Sequence, residues 1–279
     1  MTKVHPLSGF APVHRGELYY EVAGEGRPLL LIHAGVADCA MWDAQFDQFS
    51  QNYRTIRYDT RGYGKSRTKN TSFSNRQDII DLFNHLGVVD ACILGISRGG
   101  QIAIDFTVEH PERVSALIPV AAGISGYQHQ PDDSAESRHE FELFTHMDEL
   151  WDKAAFDELA ELEVHVWADG PNQPAGRAAA SIREYVREIV RSNYVRKDGK
   201  ITPKTLEPPA IDRLGEIHVP TLVIAGEYDT TGTLQMADVL EKRIPNARKV
   251  IFPAVAHLLP MEIPQQFNQV VLDFLNSQV

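Results

Sequence analysis

A series of short, uninterrupted apolar runs, spaced widely enough to leave room for a helix between them, is the feature that most restricts the fold of this chain. Leu29-Leu30-Leu31-Ile32, Thr55-Ile56-Arg57-Tyr58, Ala91 to Ile96, Ala116 to Val120, Thr221 to Ala225 and Lys249 to Phe252 are each four to six residues long. Continuous rather than alternating apolarity over such lengths describes strands covered on both faces, as in a parallel sheet. Helical patterns stand between them. One, from Asp78 to Phe83, runs to Leu86-Gly87, where the glycine reads as a helix stop. Another, with Ile102, Ala103, Ile104 and Phe106, leads to Pro111, which cannot continue a helix interior. Strand-helix alternation of this kind predicts an α/β fold with crossover connections. Leu18 to Val22 adds a strand before the turn residues Gly24 to Pro28.

The alternation stops after Ala122. From about 123 to 208 apolar residues recur at helical spacing (Phe141, Phe144, Met147, Leu150, Trp151, then Phe156, Leu159, Leu162), and the strand pattern resumes at Val219-Pro220-Thr221. The reading is a helical insertion at 123–208 that divides a core of 1–122 and 209–279. Acid collects in it: thirteen Asp and Glu lie between Pro131 and Gly170 against Arg138 and Lys153, as on a solvated outer face.

Charge narrows the partners. With 27 Lys and Arg against 38 Asp and Glu, the 279-residue chain carries a formal charge of −11, which opposes nucleic-acid phosphates and anionic lipid unless a basic patch is segregated. The densest basic stretch, Arg183, Arg187, Arg191, Arg196, Lys197 and Lys200, is interleaved with Glu184 and Glu188 and reads as a solvated helix face. Cys39 and Cys92 share no motif spacing, so neither a disulfide framework nor a zinc site is indicated. Met1 to Pro12 has no apolar signal-peptide core, and no run approaches 18 apolar residues. The expectation is a soluble, cytoplasmic protein with neither nucleic acid nor membrane as partner.

The chemistry centres on Ala91-Cys92-Ile93-Leu94-Gly95-Ile96-Ser97-Arg98-Gly99-Gly100, where a buried strand runs into G-x-S-x-G and a helical pattern leaves it. That is the setting of a nucleophile elbow: the turn is too tight for side chains around Ser97, so glycines flank it, and the serine oxygen is lifted clear of the sheet. A serine hydroxyl needs a base, and the base an orienting acid. His257 follows the run Val250-Ile251-Phe252, and Asp229 follows Leu222 to Gly226, so both fall on loops at strand carboxyl ends, the rim where Ser97 also sits. Glu227 is the competing acid. His33 is expected to fix the loop after its strand. The oxyanion donors are expected to be the backbone N–H groups of Arg98, next to the nucleophile, and of Gly35, with Val36 as the alternative.

Taken together, His33-Ala34-Gly35, Trp42, Asp59-x-Arg61-Gly62-x-Gly64-x-Ser66, Gly95-x-Ser97-x-Gly99-Gly100, Gly226-x-x-Asp229 and His257 resemble the α/β-hydrolase superfamily over nearly the whole chain outside the insertion. The set is most similar to small carboxylic-ester and lactone hydrolases near 3-oxoadipate enol-lactonase and the cofactor-free haloperoxidases. The resemblance implies a mostly parallel eight-stranded sheet with a helical cap, which the insertion fits, and implies that Asp59 and Arg61 organise a turn rather than react. The departure is His33-Ala34-Gly35 where a His-Gly-aromatic loop is commoner.

The function expected is hydrolysis of a small or medium ester or lactone through an acyl-enzyme on Ser97, with no metal or organic cofactor. Val36, Phe144, Met147, Trp151 and Trp167 are candidates for the substrate pocket. Arg177 and Arg183 either meet a substrate carboxylate or are ordinary exposed helix positions. A carbon–carbon bond hydrolase or a perhydrolase would share every motif. A slow-turnover ligand receptor could keep the same triad. Dinucleotide binding is disfavoured because Ser97 stands where a G-x-G-x-x-G loop needs its second glycine.

Overall fold

The computed structural model describes residues 6–69, 72–129, 131–195 and 202–278. Its main sheet is built from β1 (Leu7–Val13), β2 (Gly16–Ala23), β3 (Pro28–Ile32), β4 (Arg54–Tyr58), β5 (Ala91–Ile96), β6 (Val114–Val120), β7 (Leu222–Gly226) and β8 (Arg248–Phe252). The spatial order is β1-β2-β4-β3-β5-β6-β7-β8, and the short Arg67–Thr68 strand pairs beside β2. β1 and β2 are antiparallel to each other, and β2 is antiparallel to β4. From β4 to β8 the pairing is parallel, with Leu30 opposite both Ile56 and Ile93. The expected mostly parallel eight-stranded α/β sheet is therefore present. β1, with Gly9 and Pro12 inside it, gives no periodic signal in the sequence; it is held as an edge strand by its register on β2, Phe10 opposite Tyr19.

Both faces are covered because successive residues of a strand point to opposite sides. Leu30 and Ile32 join Ile79, Leu82, Phe83, Ile102 and Phe106, from α2 (Asn75–Leu86) and α3 (Arg98–Glu109), on one side. Leu29 and Leu31 join Phe49, Phe267, Val271 and Leu275, from α1 (Asp43–Phe49) and a C-terminal helix (Pro264–Asn276), on the other. Local signals set the ends. Ser74 accepts from the Gln77 amide at the start of α2, and Gly87 closes it in the left-handed conformation (φ 66°).

Between β6 and β7 stand α4 (Ala135–Asp152), α5 (Phe156–Val164), a π turn at His165–Asp169 and α6 (Ala180–Tyr194). A two-residue strand, Thr202–Pro203, pairs with Ser72–Phe73, a feature the helical spacing does not announce. Of the arginines expected to face solvent, Arg191 does so while pairing with Asp157, whereas Arg183 and Arg187 are half-buried and reach Asp169 and Glu161, clasping α6 to the segment before it; Arg196, Lys197 and Lys200 lie outside the described residues. The acidic run is not wholly solvated either. Glu140 (3% exposed) and Asp169 (0%) are buried. Glu140 accepts from the Thr231 amide and, at 2.7 Å, from the Thr231 hydroxyl, anchoring the first turn of α7 (Thr231–Arg243). Among the described residues no helix is long and apolar enough to cross a membrane.

Candidate active site

Ser97 occupies the junction of β5 and α3 with φ 56° and ψ −119°, a strained backbone for a non-glycine residue that costs about 1–3 kcal/mol. The turn is held by its surroundings: the Ser97 amide donates to the Val120 carbonyl at 2.8 Å, and the Gln101 amide donates to the Ser97 carbonyl at 3.0 Å. A Cβ on Gly95 would strike the Gly99 carbonyl, and one on Gly99 would strike the backbone of Ile32 and His33. The glycines are thus demanded by the close approach of elbow and neighbouring strand. The Ser97 side chain makes no capping bond to α3, so its oxygen is left to face the cavity it lines.

Asp229 and His257 meet as their spacing suggests. Asp229 Oδ2 lies 2.8 Å from His257 Nδ1, with the side chains 1% and 4% exposed, and Asp229 Oδ1 accepts from the Thr230 amide at 2.7 Å. The competing Glu227 turns away and accepts from the Ala254 amide at 2.8 Å, bracing the loop that carries His257. The other ring face of His257 is covered by Trp167, centroid to centroid 4.6 Å. Ser97 and His257 line the same cavity of about 440 Å³ without a direct hydrogen bond between them among the described residues; such contacts tighten when a substrate enters.

On the far rim, Gly35 and Val36 also line the cavity. Their loop is held by His33: its Nε2 accepts from the Thr60 amide at 2.9 Å, which fixes Nδ1 as the donor to the Ala34 carbonyl at 2.7 Å. Complete burial pushes the His33 ring below its ordinary value, in the direction of the neutral tautomer that acceptance at Nε2 requires. Asp59 takes the amides of Cys39 (2.8 Å) and Lys65 (2.6 Å), while Arg61 pairs with Asp78 through two bonds. Both shape turns and neither lines the cavity.

The pocket candidates divide. Val36, Trp151 and Trp167 line the cavity; Phe144 and Met147 are not among its lining residues. The reason is helix length. Trp151 lies seven residues beyond Phe144, about 10 Å along α4, so only the C-terminal end of the helix reaches the site. Phe144 packs on the side of Trp167 that faces a second hollow, lined also by Glu140 and Met236. Arg177 and Arg183 meet no substrate position: Arg177 donates to the Ala168 and Asp169 carbonyls and pairs with Glu262 at 2.7 Å, and Arg183 pairs with Asp169. Sequence reasoning missed Tyr63, Glu163, Val190, Asn193 and Tyr194, all in the cavity wall. Glu163 is the most consequential. Trp167 Nε1 donates to its Oε2 at 2.6 Å and the Tyr194 hydroxyl to its Oε1 at 2.5 Å; burial nevertheless raises its carboxyl above the usual range. A lone Glu at helical spacing in an acidic stretch carries no signal that would single it out.

Comparison with known proteins places these observations in a class. The model of the alpha/beta hydrolase fold family matches residues 27–264, and the chain belongs to that family; it is a hydrolase of this fold. It is 27% identical over 250 residues to 3-oxoadipate enol-lactonase 1 of Acinetobacter baylyi, covering 86% of this chain and 85% of that protein. It is 26% identical to a 2-hydroxy-6-oxononadienedioate/2-hydroxy-6-oxononatrienedioate hydrolase of Comamonas testosteroni, covering 91% and 89%. A thermophilic esterase of Thermogutta terrifontis superposes with a TM-score of 0.76 at 23% identity, covering 98% of this chain and 99% of that one.

Proposed function

We propose that the protein hydrolyses a small or medium carboxylic ester or lactone through an acyl-enzyme on Ser97. The observation that carries this reading is the Asp229–His257 pair, at 2.8 Å, opening onto the cavity that also holds Ser97 at its strained turn. His257 Nε2 takes the Ser97 proton as the oxygen attacks the carbonyl carbon. Asp229 holds Nδ1 protonated and stabilises the imidazolium that forms. The Arg98 amide, an orphan donor of the first turn of α3, and the Gly35 amide, with Val36 as the alternative, bind the tetrahedral oxyanion. The imidazolium then protonates the leaving alcohol, and a water deprotonated by the same ring releases the acid and restores Ser97.

The helical segment 123–208 serves as a cap over the core formed by 1–122 and 209–279. Its supply of Trp151, Glu163, Trp167, Val190, Asn193 and Tyr194 to the cavity wall supports this role. Carbon–carbon cleavage with the same triad is the second reading, favoured by the relative from Comamonas testosteroni. The test is turnover of a panel of esters, lactones and vinylogous diketones by the protein beside Ser97→Ala. Loss of about four orders of magnitude in kcat/KM on esters or lactones supports the reading; ester turnover retained by Ser97→Ala overturns it, and activity confined to the diketones moves the assignment to the second.

A further inference from the structure

Beyond the reacting groups, the cavity wall carries one carboxylate, Glu163, and, among the described residues, no lysine or arginine. Among the described residues, the nearby guanidinium groups are committed elsewhere. Arg98 donates to Thr60 Oγ1 at 2.8 Å and lies over the Tyr63 ring, while Arg177 and Arg183 are bound to the Asp169 region and Glu262. Glu163 cannot swing aside, because Trp167 and Tyr194 hold one oxygen each. The same Trp167 packs on His257, so the carboxylate lies one indole away from the reacting imidazole. Beside Tyr194, Asn193 Nδ2 is buried without a partner among the described residues, and Asn193 lines the cavity. A buried donor of that kind is costly unless something that enters the site accepts from it.

We propose that this wall selects substrates by charge: the cavity takes an uncharged ester or lactone, Glu163 excluding molecules that bring a carboxylate and Asn193 donating to a neutral acceptor oxygen of the non-reacting part. The inference rests on hydrolysis at Ser97 as proposed above. A substrate carboxylate would have to shed water beside a fixed carboxylate, with no cation among the described residues of the wall to receive it and little solvent to screen the repulsion. A neutral oxygen loses nothing by the same move. Discrimination therefore comes from a repulsive element rather than from a tighter fit.

The test uses matched pairs compared over a series of pH values, because burial raises the Glu163 carboxyl and the repulsion acts only where it is ionised: methyl 4-acetoxybenzoate against 4-acetoxybenzoate, and methyl 4-nitrophenyl adipate against mono-4-nitrophenyl adipate. The expected kcat/KM favours the uncharged member of a pair by about tenfold or more, and Glu163→Gln narrows that ratio at least about fivefold. If Glu163→Gln is not recovered folded, Asn193→Asp, which adds a second charge to the wall, is expected to widen the ratio instead. Equal use of both members of each pair, or ratios that the variants do not move, overturns the charge selection while leaving Ser97-dependent hydrolysis standing. Absence of any Ser97-dependent ester turnover removes the parent reading, and the selection with it.

Discussion

The two walls of the cavity are made by different means. The sheet-side wall is backbone chemistry: Ser97 on its strained turn, the Gly35 loop pinned by His33, and Asp229 and His257 each one loop beyond a strand. Its supporting bonds run largely to main-chain atoms, such as those from the Thr60 amide to His33 and from the Thr230 amide to Asp229. The helix-side wall is side-chain chemistry. Glu163, Trp167, Asn193 and Tyr194 come from α5, the π turn and α6, and they find each other only once those helices pack. In the function proposed, the first wall fixes what reaction is possible and the second fixes what is admitted to it. A fold can therefore keep one and vary the other.

Substitutions can break this division or sharpen it. The largest effect belongs to the sheet side, where Ser97→Ala is expected to lower kcat/KM about 10⁴-fold. Asp229→Asn should cost about 10³-fold or more by letting the imidazole take the wrong tautomer, whereas Glu227→Gln should stay within about threefold; an equal loss in both, measured in steady-state assays, would erase the distinction between the two acids. Glu140→Ala removes the acceptor of the Thr231 amide and hydroxyl, and should destabilise the fold by about 2 kcal/mol, read from urea midpoints. On the helix side, Trp167→Phe keeps a ring beside His257 but deletes the donor to Glu163, so a loss of only about two- to fivefold in kcat is expected. A loss as large as that of Asp229→Asn would mean that the helix wall takes part in the chemistry.

The smallest effect is a slope. Burial raises the Glu163 carboxyl above its value in the unfolded chain, so the folded state binds that proton more tightly. The stability contributed is present below the ordinary carboxylate range and is lost as pH rises through the raised value. Asp169 has the opposite sign: its bonds from Arg183 and the Gly176 and Ala178 amides outweigh the burial that opposes them and hold its carboxyl low. Its contribution is lost as pH falls. Urea titrations from about pH 2.5 to 7 should show Glu163→Gln gaining on the parent protein towards neutral pH, while Asp169→Asn should lose ground to it chiefly as pH rises through the region below the ordinary carboxylate value. A gap between Glu163→Gln and the parent that does not change with pH would contradict the sign given for Glu163.

How much of this could be read from the sequence follows the same division. The buried strands β3 to β7 and the stop at Gly87 were legible, because local apolarity and turn chemistry determine them, whereas β8, read as covered on both faces, is an edge strand in which only Phe252 is buried. Also legible was the placement of Ser97, Asp229 and His257 just beyond strand ends, since each follows an apolar run closely. β1 was not, because an edge strand with Gly9 and Pro12 draws its order from β2 rather than from its own pattern. Phe144 and Trp151 share a helix face and so looked equivalent, yet only the C-terminal end of α4 reaches the cavity, and with it only the second. Glu140, Glu163 and Asp169 were hidden among thirteen acids, since nothing local separates a carboxylate destined for the interior from one bound for water.

The π turn at His165–Asp169, closed by the Gly170 amide on the His165 carbonyl at 3.0 Å, aims the Trp167 indole. Such a turn is one residue wider than its α-helical counterpart. Deleting a single residue there would rewind the segment and swing the positions beyond it by about 100°, carrying the indole off the imidazole. The contact that joins the two walls is thus set by a count of residues as much as by their identity, and one codon lost from this turn would re-aim the indole with no side chain of the catalytic rim altered.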